Sequence, residues 1–352
     1  MSKQILASAK TNQGEKTTMK IRNLILVLSA LALPLQAADV GTAYLNLPVT
    51  IARGETKLVG VFLARPVLFK GEVASDVTAG QTSFTAFGNN VFNGYTPVSE
   101  VGTAELAPAS DNHFIVEFTS GPSTGLIKQV TAFSESTATV IGGLPALTAG
   151  TQFVLRRDCT LDSLFPGGAG LKAASSVGTA DVISVLSSSG LLNRYFYQQG
   201  YGWRLETDRN LPTNPNAKDR AHVRVTLGSG FAFKANAAKT INLSGEYRGA
   251  RSQITLEGTS GTIVANPYPV AVTLAESGLA QYLTKAASAA GADSLRFLEG
   301  GRYVSYHNNG SNFVKSTGGA VSNSKVLGVG DAFLIVNKVR QNVAFAPQVI
   351  AE

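Results

Sequence analysis

Through most of the chain, short apolar-rich runs stop at Gly, Pro, Asn or Ser. Such runs, closely spaced between turn signals, are the pattern of strands. They predict strands over 57–63, 68–74, 114–119, 126–132, 137–141 and 152–156. Further strands are predicted over 181–186, 194–198, 222–227, 238–247, 253–257, 262–266, 302–307 and 332–336. These runs are rich in Val, Ile, Thr, Phe and Tyr, which suit a pleated surface. Helical spacing is convincing at one place only: Leu279, Leu283, Ala286, Ala287 and Ala290 share a face, with Gly291 placed to end it. A shorter helical turn fits 160–165, before the Pro166-Gly167-Gly168 break. The fold class expected is all-β, as short-stranded sandwich or barrel-like units with an internal duplication and one short helix.

The duplication rests on two segments. One begins at Ala180-Asp181, runs through Phe196-Tyr197-Gln198-Gln199-Gly200-Tyr201-Gly202-Trp203 and reaches Leu227-Gly228-Ser229-Gly230-Phe231-Ala232-Phe233. The other begins at Ala292-Asp293, runs through Tyr306-His307-Asn308-Asn309-Gly310-Ser311-Asn312-Phe313 and reaches Leu327-Gly328-Val329-Gly330-Asp331-Ala332-Phe333. The closing LGxGxAF element agrees at five of seven positions, and the first segment carries an insertion around 208–220. A weaker echo links residues 60–66 with 261–267. Asn309-Gly310, with Gln199-Gly200 in the matching place, predicts a two-residue type I′ hairpin turn. Trp203 and Phe313 would then pack across their hairpins against Phe196 or Tyr306. The units expected are a leader and signal peptide over 1–37, a β domain over 38–160, and a second over 161–352 carrying the duplicated hairpin units, about 180–247 and 292–345.

Charge and composition alter the picture near the N-terminus. Met19-Lys20-Ile21-Arg22 supplies a basic start, 24–35 an apolar run, and Gln36-Ala37-Ala38 a small-residue cleavage site, so export with cleavage near Ala37 is expected. An apolar run of about 12 residues falls short of the roughly 20 that span a bilayer. Residues 1–37 hold five basic and one acidic side chains, so without them the net charge falls from +7 to +3. No nucleic-acid-binding run of Lys and Arg remains, and no membrane span is expected in the mature chain. The destination expected is periplasmic, cell-surface or extracellular.

Several elements together resemble a known, uncharacterised family of secreted, β-rich bacterial proteins. They are Ser120-Gly121-Pro122-Ser123-Thr124-Gly125-Leu126, Thr160-Leu161-Asp162-Ser163-Leu164-Phe165, Asn266-Pro267-Tyr268-Pro269-Val270 and the LGxGxAF element. The resemblance covers most of residues 44–337 and implies export and a β-rich fold. It brings no activity, cofactor or catalytic residue.

Candidate chemistry is sparse. His113, His222 and His307 lack metal-ligand spacing, Cys159 is single, and no nucleophile elbow is present. No catalytic residue, metal site or cofactor is therefore assigned. His113 is expected to be a half-exposed strand residue and Cys159 a buried thiol. Tyr197, Tyr201 and Trp203 are the candidate sugar-stacking faces, and Glu206, Asp208 and Asp219 beside them could form a carboxylate pair. The reading expected is a non-enzymatic structural or adhesive protein of the bacterial cell surface or matrix. A carbohydrate-binding module near Trp203 is the alternative and a glycoside hydrolase the second. Partners expected are another copy, through exposed strand edges, or a surface polysaccharide.

Overall fold

A computed structural model describes residues 43–98, 110–187, 190–208, 219–249, 251–256 and 261–345. The expected leader and its cleavage site lie outside the described residues, as does most of the insertion at 208–220. Among the described residues the protein is nearly all β, in several antiparallel sheets, with one short α-helix.

The chain opens with β1 (Tyr44–Ile51) and β2 (Thr56–Gly60). There follow β3 (Val67–Glu72), β4 (Ser83–Thr85), β5 (Phe114–Phe118), β6 (Ile127–Ser134), β7 (Thr137–Val140) and β8 (Gln152–Arg157). These six form one sheet in the order β3-β8-β5-β6-β7-β4. It curls far enough for Val73, just past β3, to bridge Ala86, just past β4. Its concave face buries Phe84, Phe118 and Phe153, with ring centroids 5.0 to 5.6 Å apart in edge-to-face pairs. The turn after it is α1 (Leu161–Leu164), where Thr160 and Ser163 cap each other reciprocally.

Next come β9 (Val182–Leu186), β10 (Leu192–Gln198), β11 (Gly202–Leu205), β12 (Gly230–Lys234) and β13 (Lys239–Glu246). The last run is β14 (Gln253–Leu256), β15 (Gly261–Ala265), β16 (Val272–Thr273), β17 (Ser294–Glu299), β18 (Arg302–Asn308), β19 (Phe313–Lys315), β20 (Val326–Leu327), β21 (Ala332–Val336) and β22 (Gln341–Ala344). Two five-stranded sheets result, ordered β11-β10-β9-β12-β2 and β19-β18-β17-β21-β15. Their strands correspond one for one in sequence order. The ribbons β1-β13 and β14-β22 correspond as well, and β16-β20 has its counterpart in the single bridge between Thr160 and Arg224.

The duplication is thus larger than the hairpin units at 180–247 and 292–345. It begins at β1 in one copy and β14 in the other, and the six-stranded sheet is an insertion within the first copy. A division at residue 160 does not describe this arrangement, because β1 and β2 pair with β13 and β12. The reason is register: the whole of Tyr44–Ile51 pairs with the 239–246 segment, nearly two hundred residues away in sequence. The echo between 60–66 and 261–267 named the right pair of strands in the wrong register. Ala232 faces Leu58 as its counterpart Leu334 faces Ile263, so Leu58 corresponds to Ile263 and Gly60 to Ala265 rather than to Gly261.

Each copy is fastened by one buried aspartate. Asp181 accepts backbone N–H groups from Lys172 and Asn236, and the Lys239 ammonium. Asp293 accepts those of Thr284 (2.8 Å) and Lys338 (2.7 Å), and the Gln341 amide at 3.1 Å. Each carboxylate therefore ties the strand it precedes to the loop before it and to the end of the same copy. The copies meet at an apolar contact of Ala232, Leu186 and Leu58 with Ala332, Leu298 and Ile263.

Two local expectations fail for tertiary reasons. The helix predicted from Leu279 to Ala290 is only a turn over Leu279–Gln281. Leu279 and Leu283 do enter the core, but the N–H of Thr284 goes to Asp293 and that of Ala286 to the Asn308 carbonyl. Residues 222–227 form no strand; the Leu227 N–H is taken by Asp158 and the Val225 N–H by the Cys159 carbonyl. Both predicted hairpins form, but not with type I′ turns. Gly200 and Gly310 have positive φ, whereas neither Gln199 nor Asn309 does.

Candidate functional site

The three aromatic candidates do not make a sugar platform. Trp203 on β11 lies opposite Tyr197 on β10, and its ring is 1% exposed. It packs against Tyr197 at 5.8 Å and Phe165 at 6.4 Å, so both faces belong to the core. Tyr197 is half-buried over Gly168, where a β-carbon would lie 2.4 Å from the ring. Only Tyr201, in the turn, is exposed, and the Arg204 guanidinium sits 5.7 Å from its ring centre. A stacking role for Trp203 is therefore corrected to a core role, because a ligand from solvent cannot reach a buried ring. Trp203→Phe should keep the fold and lower stability by about 1–2 kcal/mol in urea unfolding. Phe313 is the equivalent residue of the second copy, and the Trp203 indole N–H has no hydrogen-bond partner among the described residues.

The neighbouring acids each hold their own partner. Glu206 accepts two bonds from one Arg194 nitrogen at 2.7 and 2.8 Å, and Asp208 is forked with Arg220. Asp219 accepts the N–H groups of Trp203 (2.9 Å) and Ala221 (3.1 Å), fixing the hairpin rather than facing a cleft. His113 is fully buried, against the half-exposed position expected. Its Nε2 donates to the His222 carbonyl at 2.8 Å, and Arg224 donates to its Nδ1 at 3.2 Å, which fixes a neutral tautomer. His307 is buried on β18, with Nδ1 3.2 Å from the Ser316 hydroxyl. Cys159 is buried as expected, and burial pushes its thiol well up. No group of three His, Cys, Asp or Glu suited to a metal occurs among the described residues.

The side chains that do converge lie where the inserted sheet meets the two copies. Arg156 on β8 stands between Glu117 on β5 (3.5 Å) and Glu246 on β13 (2.5 Å), and also donates to the Arg65 carbonyl. Arg248 reaches the other Glu117 oxygen at 2.9 Å. Asp111 accepts Arg65 at 2.6 Å, with Arg157 3.5 Å away. Asp158 accepts the N–H groups of Cys159 and Leu227, with Arg224 3.5 Å away. Burial raises the Asp158 carboxyl; Arg224 and the two N–H bonds oppose it.

Beside this cluster is a cavity of about 390 Å³ with three walls. The inserted sheet contributes Ile127 to Gln129 and Ile141, the first copy Val185 to Ser187 and the bend at 226–230, and the second copy Ile254, Thr255 and Ile263. Lys128 donates to Thr255 Oγ1 at 2.9 Å and Gln129 to Thr226 Oγ1 at 2.7 Å, so polar bonds join the inserted sheet to each of the other two walls. No sequence signal marked this cavity, since its walls come from separate segments spread between residues 127 and 263.

Comparisons with family models, with curated proteins and with solved structures find no match to the chain.

Proposed function

We propose that the chain is an exported, non-enzymatic protein of the bacterial cell surface or extracellular matrix, acting through structure or adhesion. The observation that carries this reading is the ionic seam of Arg156, Glu117, Glu246 and Arg248, which welds the inserted sheet to the duplicated strands. Buried charges so arranged favour one fixed geometry over a mobile assembly, as a load-bearing or adhesive element requires. The leader-like segment over 19–38 supports export.

An open strand edge supports self-association. β14 has its outer edge occupied by the inserted sheet, where Gln253 donates to the Gly125 carbonyl and Leu126 bridges it in parallel. β1 is the counterpart strand, and no bridge covers its outer edge among the described residues. Pro48 occupies the register position that Gln253 holds in β14, because its partner Asn242 stands three residues into β13 as Ala344 stands in β22. A proline there removes one outward donor and restrains runaway pairing while leaving the rest of the edge usable.

Expression with the native leader, followed by fractionation and N-terminal sequencing, tests the reading. A chain beginning at Ala38 in the surface or matrix fraction is expected. An uncleaved chain held in the cytoplasm would overturn it.

A further inference from the structure

The two copies treat the same junction in opposite ways. Where β1 crosses the Gly-rich bend of the second copy, the space is filled: Leu45, Leu47 and Val329 pack with Phe62, Leu63 and Ala265. A β-carbon on Gly330 would stand 2.4 Å from Leu47. Where β14 crosses the bend of the first copy, Ser252 stands at the register position of Leu47 and Ile254 at that of Val49, and the cavity remains. An empty volume is thus not a by-product of this fold, since the duplicated junction packs shut without it.

We infer that the cavity is a binding site for a linear aliphatic carboxylate. Its walls are mainly aliphatic: Ile127, Ile141, Val185, Leu186, Ile254 and Ile263 offer branched surface beside a single aromatic, the buried Tyr195, which fits an alkyl chain rather than a sugar. About 390 Å³ lies within the usual range of small-molecule sites. The charged side chains lining it, among the described residues, are Lys128 and Arg224, both cations. Lys128 is held by Thr255, and Arg224 by Asp158 and His113. The carboxylate adds to those bonds as a further acceptor and displaces none of them. Gln129, Thr226 and Ser229 add amide and hydroxyl groups to the lining. The alkyl chain points along the isoleucines toward Ile141, which is 45% exposed at the rim.

The test is titration calorimetry of residues 38–352 with decanoate and, separately, with decanol. Saturable one-to-one binding of decanoate is expected, at least tenfold tighter than decanol. Ile141→Trp should weaken decanoate at least tenfold without moving the thermal midpoint, because the new ring covers the rim from an exposed position. Three results would each overturn the inference. They are no saturable binding of decanoate, equal affinity for decanol, and unchanged affinity in Ile141→Trp.

Discussion

Asp293→Ala is expected to lower the free energy of unfolding by about 3–5 kcal/mol, and Asp181→Ala by a similar amount. Removing the Asp293 carboxylate leaves two backbone N–H groups and the Gln341 amide without their acceptor at a fully buried position. Each unsatisfied buried donor costs roughly 1–3 kcal/mol, less whatever a water entering the hole restores. At Asp181 the loss is compounded by stranding the mostly buried Lys239 ammonium. Domains of ordinary stability hold about 5–15 kcal/mol in all, so either variant removes a large share. Urea unfolding at neutral pH measures it. A loss under about 1 kcal/mol in both variants would mean the aspartates do not fasten their copies.

The second large effect concerns the seam. Arg156→Ala should cost about 3–5 kcal/mol, because it leaves the buried Glu117 and the half-buried Glu246 with one fewer cation and takes the donor from the Arg65 carbonyl. Arg156→Lys should recover only part of this loss, since a single ammonium cannot reproduce the fork that reaches three acceptors. A double-mutant cycle with Glu246→Gln should give a coupling energy toward the upper end of the roughly 0.5–3 kcal/mol found for interacting residues. Near-zero coupling would show that the inserted sheet is held by its apolar contacts instead.

Much of the strand content was legible because β-branched and aromatic runs between turn residues are a local signal. Segments such as 114–118 and 152–157 carry their own pattern and needed no partner to be read. β1 was missed because Pro48 interrupts its alternation, and a proline disqualifies a strand except at an edge, which only the fold reveals. β17 was missed because Arg296 and Glu299 break up Leu295, Phe297 and Leu298. The aspartates that open both repeat segments were visible as a recurring Ala-Asp pair. Their task was not, since their donors lie nine residues before them and some fifty after. Trp203 misled because an aromatic beside acids reads the same whether its ring faces solvent or core. The aligned Phe313 was the sequence sign that packing, not stacking, fixed that position. The cavity lay beyond any local pattern, because three distant segments make it.

Assembly of the exported protein through its open β1 edge is tested most directly by the mass of purified residues 38–352 across a range of concentrations. Light scattering after size exclusion should show mass rising with concentration. Asn46→Pro, which removes another outward donor on exposed β1, should flatten that rise without changing the thermal midpoint. A constant monomer mass in the unmodified protein at every concentration would contradict the account.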